Sequence, residues 1–156
     1  MSKSLRRVQS ALQEAGLSVE IRETDDSART AEGAAAAVGC TVDQIAKSII
    51  FRGEASGHVV LFLTAGGNRV DPAKATAVAG QTLGKADADL IRAETGFAIG
   101  GVAPLGHLSR IEAYLDPRLL EFDTVWAAAG TPRHVFAIAP GDLLRVTGAT
   151  QADFTA

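Results

Sequence analysis

A chain of 156 residues, 47% hydrophobic and 21% charged, is sized for one folded domain over residues 1–156 and excludes a largely disordered protein. A formal net charge of −3 excludes a broad, non-specific binder of DNA or RNA, while leaving room for a small basic site that holds a few phosphates. A single cysteine, Cys40, excludes an intrachain disulfide and a thiolate-rich zinc site; no apolar run approaches the ~20 residues of a membrane span, so a cytoplasmic location is expected.

Leu5, Val8, Leu12 and Ala15 recur at helical spacing before Gly16, which predicts an amphipathic helix over 4–15. Val19 and Ile21 alternate with polar neighbours as a short strand, and residues 23–29 read as a polar loop. Thr30 is placed to cap an alanine-rich helix closed by Gly39, and Thr41-Val42-Asp43-Gln44 has the capping-box pattern of one more turn. Residues 46–51 and 58–64 are rich in Ile, Val, Leu and Phe around a Gly/Ser turn, which predicts an antiparallel hairpin. Asp71-Pro72 starts a helix ended by Gly80, and Asp87 starts another that stops before Gly96. A short apolar strand is then expected at 96–99, emptying into a loop rich in glycine and proline that ends at His107. Ile111, Ala113 and Leu115 alternate as a strand, Asp116-Pro117 opens a helical turn, residues 124–129 and 134–138 read as two more strands, and 140–144 as a last helix. Residues from about 150 to 156 are a candidate loose tail. Paired strands with helices between them favour an α+β (mixed α/β) domain around a mixed, largely antiparallel sheet over a doubly wound one.

Two places carry chemistry. In the first strand of the hairpin, period-two alternation sets Lys47 on the face of Ile49 and Phe51. Either its stem packs while its ammonium reaches water, or the cation faces a phosphate or an ester carbonyl at the edge of an apolar pocket. In Gly100-Gly101-Val102-Ala103-Pro104-Leu105-Gly106-His107, glycines allow positive φ and a close approach of bare N–H groups to a ligand, while Pro104 biases Ala103 toward extended backbone. A tight connection that needs glycine for geometry alone is the other reading.

Other chemistries find less support. No Gly-Lys-Ser/Thr follows the loop, and Gly80-Gln81-Thr82-Leu83-Gly84-Lys85-Ala86 is one residue too short between glycines and ends on Ala86, so nucleotide hydrolysis is disfavoured. His58, His107 and His134 lack metal-ligand spacing, Cys40 has no basic neighbour in sequence, and no Gly-x-Ser-x-Gly elbow is present. No metal or cofactor is expected. A hydrolase built on this chain would work by positioning water and polarising a carbonyl.

Thr30-Ala31-Glu32, Gln44-Ile45-Ala46-Lys47-Ser48-Ile49-Ile50-Phe51, Gly66-Gly67-Asn68-Arg69-Val70-Asp71 and the 96–107 segment come in the order and spacing of the YbaK/ProX family. The chain resembles these free-standing homologues of the editing domain inserted in bacterial prolyl-tRNA synthetase from about Leu5 to Leu144. The resemblance implies a barrel-like editing fold and hydrolysis, in trans, of an amino acid wrongly esterified to tRNA, typically tRNA for proline. It implies that Lys47, Gly100 and Gly101 act on the ester. Val102, Ala103, Pro104, Gly106 and His107 would then bind substrate, and His134 falls near a pocket-lining histidine of the synthetase-inserted version. The subgroup that clears cysteine looks to have a serine and an aspartate where Ala128 and Val135 stand here. Alanine, 2-aminobutyrate, serine or threonine is therefore the expected amino acid, with cysteine the alternative and a non-catalytic tRNA-end binding module a further one. An acidic chain implies few phosphate contacts, so prolyl-tRNA synthetase or an elongation factor is a candidate partner for delivering the tRNA acceptor end.

Overall fold

In a computed structural model describing residues 2–156, helices begin where a short polar side chain takes up the free N–H groups of a first turn. Ser2 caps α1 (Lys3–Glu14) by accepting from Leu5 N–H, and the helix buries Leu5, Val8 and Leu12, the stripe its sequence predicts. Thr30 caps α2 (Ala31–Val38), Asp71 caps α3 (Pro72–Ala79) and Asp87 caps α4 (Ala88–Thr95). α5 (Pro140–Thr147) starts on its proline and runs three residues past the expected end, up to Gly148.

The strands are β1 (Ile21–Glu23), β2 (Ile45–Gly53), β3 (Val59–Ala65), β4 (Leu83–Lys85), β5 (Glu112–Leu115), β6 (Val125–Ala128), β7 (His134–Ile138) and β8 (Thr150–Gln151). They form one mixed sheet in the order β1-β7-β6-β2-β3-β5-β8, with β4 on β2. The β1–β7, β2–β3, β2–β4 and β6–β7 pairs are antiparallel and the other three parallel, so the sheet is mixed and antiparallel in its majority, as expected. β3 is buried along its whole length because both of its faces are covered. Val59, Leu61 and Leu63 pack with α1 in the main core, whereas Val60 and Phe62 pack with Ala75 of α3 and with Phe154.

Three expectations are corrected. The 96–99 segment is no strand: Gly96 ends α4 with φ +82°, the Thr95 hydroxyl accepts from Phe97 N–H, and no strand lies alongside to pair with it. Residues 83–85, read only as a failed phosphate loop, are β4, which pairs with Phe51–Gly53 of β2. The C-terminal residues are docked: Phe154 is fully buried with its ring 4.9 Å from that of Phe62, Asp71 N–H donates to Phe154 O, and Ala156 N–H donates to Arg69 O. The tail is held by the buried Phe154 ring together with these main-chain bonds and the pairing of β8 with β5.

Candidate functional site

The site grows out of a split in the sheet. β2 pairs with β3 without interruption from Ala46 to Arg52, but on its other edge β6 takes only Ile45 and Ala46 and β4 only Phe51–Gly53. Between these partners, residues 47–50 have an open edge. Gly53 N–H points to the hairpin partner, bonding His58 O, while Glu54 N–H points the other way, to Thr82 O. Backbone groups alternate along a strand, so the N–H and C=O of Ser48 and Ile50 face the gap. Around it lies a cleft of about 520 Å³, walled by α2, the end of β4, β6 and the 99–102 loop.

Lys47 stands at this cleft with its Nζ 2.7 Å from the main-chain oxygen of Asn68, to which it donates. Burial holds its pKa below that of an ordinary lysine; Glu32 opposes that shift, Arg69 adds to it, and Asp116 and Asp43 oppose it. Beside it, Ser48 Oγ is buried and is the one such side-chain atom without a hydrogen-bond partner among the described residues. A buried hydroxyl left without a partner costs about 1–3 kcal/mol. Arg29 and Lys85 also line the cleft, so three cations gather there in a chain of net charge −3.

The 100–107 loop is divided by the structure. Gly100, with φ +95°, and Val102 line the cleft, and among the described residues no acceptor takes the N–H of either. Gly101 lies between them against the next loop, where a Cβ would stand 2.7 Å from the carbonyl carbon of Thr131. Ala103 is fully buried, and Pro104, Gly106 and His107 line a separate concavity of about 590 Å³ together with β5 and the end of α5. His107 donates from Nε2 to Ala103 O at 2.7 Å and meets the Phe97 ring edge-on, so it fastens the loop from within. Burial holds its pKa below the ordinary histidine value, an effect its bond to Ala103 O opposes and nearby Arg7 reinforces. Arg7 adds a second fastening, its guanidinium lying over the Phe97 ring and bonding Gly96 O.

Of the residues singled out from the sequence, Lys47, Gly100, Val102 and Ala128 thus share one cleft, while none of the three histidines lines it. His134 is hydrogen-bonded through Nδ1 to the Thr131 hydroxyl, and Val135 is the β7 residue in the cleft wall. Sequence reasoning did not single out Ser48 or Trp126. A hydroxyl beside Lys47 among the apolar residues of β2 was the signal for Ser48. Trp126 is a buried wall residue with the Arg22 guanidinium stacked 4.9 Å from its ring centroid, and nothing in its local sequence distinguishes it from core.

The small mixed α/β domain built on this sheet has the fold of an editing domain. The aminoacyl-tRNA editing domain family matches residues 25–146, most of the chain, and this protein belongs to that family, of the YbaK/ProX type. It is 48% identical, with a TM-score of 0.92, to a solved structure described as a candidate trans-editing enzyme for prolyl tRNA synthetase; the match covers 100% of this chain and 99% of that one. The hypothetical protein APE2540 is 27% identical at a TM-score of 0.86, over 96% of this chain and 99% of its own. The uncharacterized protein YwhH of Bacillus subtilis (strain 168) is 34% identical over 124 residues, 80% of this chain and 78% of YwhH.

Proposed function

We propose that the cleft receives the aminoacylated 3′ end of a tRNA for proline and hydrolyses the ester of a small, wrongly attached amino acid. The observation that carries this reading is the meeting, in one cleft, of Lys47, Ser48, Gly100 and Val102, with the Gly100 and Val102 N–H groups taken by no acceptor among the described residues. The trans-editing description of the 48% identical structure supports the choice of tRNA.

In this reading, water adds through its oxygen to the ester carbonyl carbon, and the carbonyl π pair moves onto oxygen. Lys47 and the loop amides stabilise that oxyanion, each well-placed donor being worth about 3–4 kcal/mol. Collapse reforms the carbonyl and expels the ribose oxygen, which takes the proton released by the water, relayed by the neighbouring ribose hydroxyl. Free amino acid and uncharged tRNA leave. Ala127, Ala128 and Val135 give the amino-acid end an apolar wall with no charged group, which favours alanine, 2-aminobutyrate, serine or threonine over larger side chains. One methylene is worth only about 1–3 kcal/mol in such a pocket, so activity on near-isosteres overlaps. With three cations at the cleft, phosphate contacts are few, and prolyl-tRNA synthetase or an elongation factor delivers the substrate.

The test is deacylation of tRNA for proline charged with alanine, 2-aminobutyrate, serine, threonine or cysteine, by wild type and Lys47→Ala. Turnover on the small members and a loss of about 10²–10³-fold in the variant are expected. Binding without turnover on every member would make the protein a tRNA-end binding module. Equal turnover of free aminoacyl esters would remove tRNA from the reading.

A further inference from the structure

We propose that Asp116, acting through Asn68, is the positioning residue that sets where the Lys47 ammonium stands. Lysine reaches its charge through a flexible four-carbon stem, so a fixed ammonium needs a fixed acceptor. That acceptor is the main-chain oxygen of Asn68, 2.7 Å from Nζ. Asn68 closes a tight turn at the end of β3, its N–H donating to Ala65 O. Glycines fill the middle of this turn because a Cβ on Gly66 would lie 2.1 Å from Val42 O, and one on Gly67 2.4 Å from an Asp43 carboxylate oxygen.

The turn is then tied to one buried carboxylate. Asp116 is 2% exposed, and its Oδ2 accepts from Ala65 N–H at 3.1 Å and from Asn68 Nδ2 at 2.9 Å. Its Oδ1 accepts from Arg118 N–H at 3.0 Å, which caps the helical turn Pro117–Glu121. Capping accounts for one oxygen only. The other is spent entirely on the turn that carries the lysine's acceptor, which a cap alone does not require. Asp43 is a second tether, accepting from Gly67 N–H and pairing with Arg118. The charged groups acting on Lys47 are Glu32 from α2, Arg69 from the turn, Asp116 and Asp43. Asp116 and Asp43 both tether the turn and both favour the ammonium form, but Asp116 is the one that bonds Asn68 itself, the residue whose oxygen takes the ammonium.

The effect on turnover rests on the deacylase reading above; the effect on the lysine itself does not. NMR titration of the Lys47 ε-methylene and amine in wild type, Asn68→Ala and Asp116→Asn reads the lysine directly. Both variants should move its midpoint to lower pH, by about half a unit, because each loosens the acceptor and the second also removes a favourable charge. Asn68→Ala takes one hydrogen bond from the buried Asp116 carboxylate but leaves those from Ala65 and Arg118, so it should fold with a melting temperature a few degrees below wild type, lose about tenfold in kcat and keep its KM within about twofold. An unshifted Lys47 midpoint in folded Asn68→Ala overturns the proposal, even if Asp116→Asn fails to fold. A shifted midpoint with undiminished turnover in Lys47→Ala leaves the positioning intact and sinks the deacylase role of the lysine instead.

Discussion

Replacing Gly101 with alanine inserts one methyl between the two loops that frame the site. The new Cβ would stand 2.7 Å from the carbonyl carbon of Thr131, 2.8 Å from its Cα and 3.0 Å from the nitrogen of Pro132. Carbon atoms in ordinary contact sit about 3.5–4.0 Å apart, so the loops must separate by about 1 Å. The obstacle is backbone, and it is braced: Ala129 N–H donates to His134 O, the Thr131 hydroxyl bonds His134, and a Cβ on Gly130 would already lie 2.7 Å from Ser4 O. Overpacking of this kind costs about 1–3 kcal/mol, and at about 2–4 °C per kcal/mol for a chain of this size the melting temperature should fall by about 2–12 °C. Gly100 and Val102 flank the inserted methyl, and a misplacement of about 1 Å is worth about 10²-fold in rate, so kcat/KM for deacylation should fall by that order. Gly57→Ala is the control: it places a Cβ in open space on a positive-φ hairpin residue, which lowers stability without touching the cleft. Calorimetry with deacylation assays well below the melting point would separate the two. A Gly101→Ala protein that melts within a degree of wild type and turns over normally would refute the reasoning.

Two further outcomes follow from the packing. Phe154→Ala should cost about 3–5 kcal/mol in urea unfolding, because the ring is fully buried against Phe62; a loss under about 1 kcal/mol would mean that the docked C-terminus contributes nothing to the fold. His107 has its folded pKa held below the ordinary value of 6.5 by burial, so the folded state binds fewer protons than the unfolded one just below that pH. Its contribution is complete above about pH 6.5 and erodes as pH falls through the unfolded value toward the folded one. His107→Gln, which keeps a donor for Ala103 O, should flatten this part of the urea-midpoint profile; parallel profiles for the two proteins would exclude the histidine as its source.

The elements legible in the sequence are those whose ends are set locally. Asp71-Pro72 and Asp87 each bring their own cap, and the β2–β3 hairpin combines two β-rich runs with a Gly/Ser turn. β4 was hidden because Leu83-Gly84-Lys85 has neither length nor strand propensity; it forms because β2 runs past the reach of β6 and offers Phe51–Gly53 as a template. The 96–99 segment shows the opposite failure. Phe97 and Ile99 alternate as a strand would, yet Phe97 is buried under Arg7 while Ile99 is 59% exposed at the cleft, because a helix exit with no neighbour has nothing to pair with. Within the glycine-rich loop, composition marked the segment, but an irregular backbone has no fixed period, so the division of Gly100 and Val102 from Pro104, Gly106 and His107 was not readable from spacing.

The same limit explains why one lysine on an apolar strand signalled the site while its neighbour did not. Reading β2 by faces sets Lys47 with Ile49 and Phe51 and turns Ser48 away from them. A cleft over one face of a sheet would see one set or the other. This cleft is lined by every residue from Ile45 to Ile50, which is the signature of a strand seen along its edge, where both faces and the free backbone groups between them are open to a ligand. An open edge in the middle of a sheet is ordinarily a liability for mispairing, and proteins cover it. Here residues of α2 and of the 99–102 loop line the cleft at residues 47–50 without pairing to them, so the cover encloses a cavity. The shortness of β4 and the parting of β6 from β2 after Ala46 are therefore as much a part of the site as Lys47: Ala128 belongs to β6 and pairs with Val135, and if Ala128 and Ala129 instead continued the β2 pairing past Ala46 they would fill the open edge at Ser48 and close the cleft.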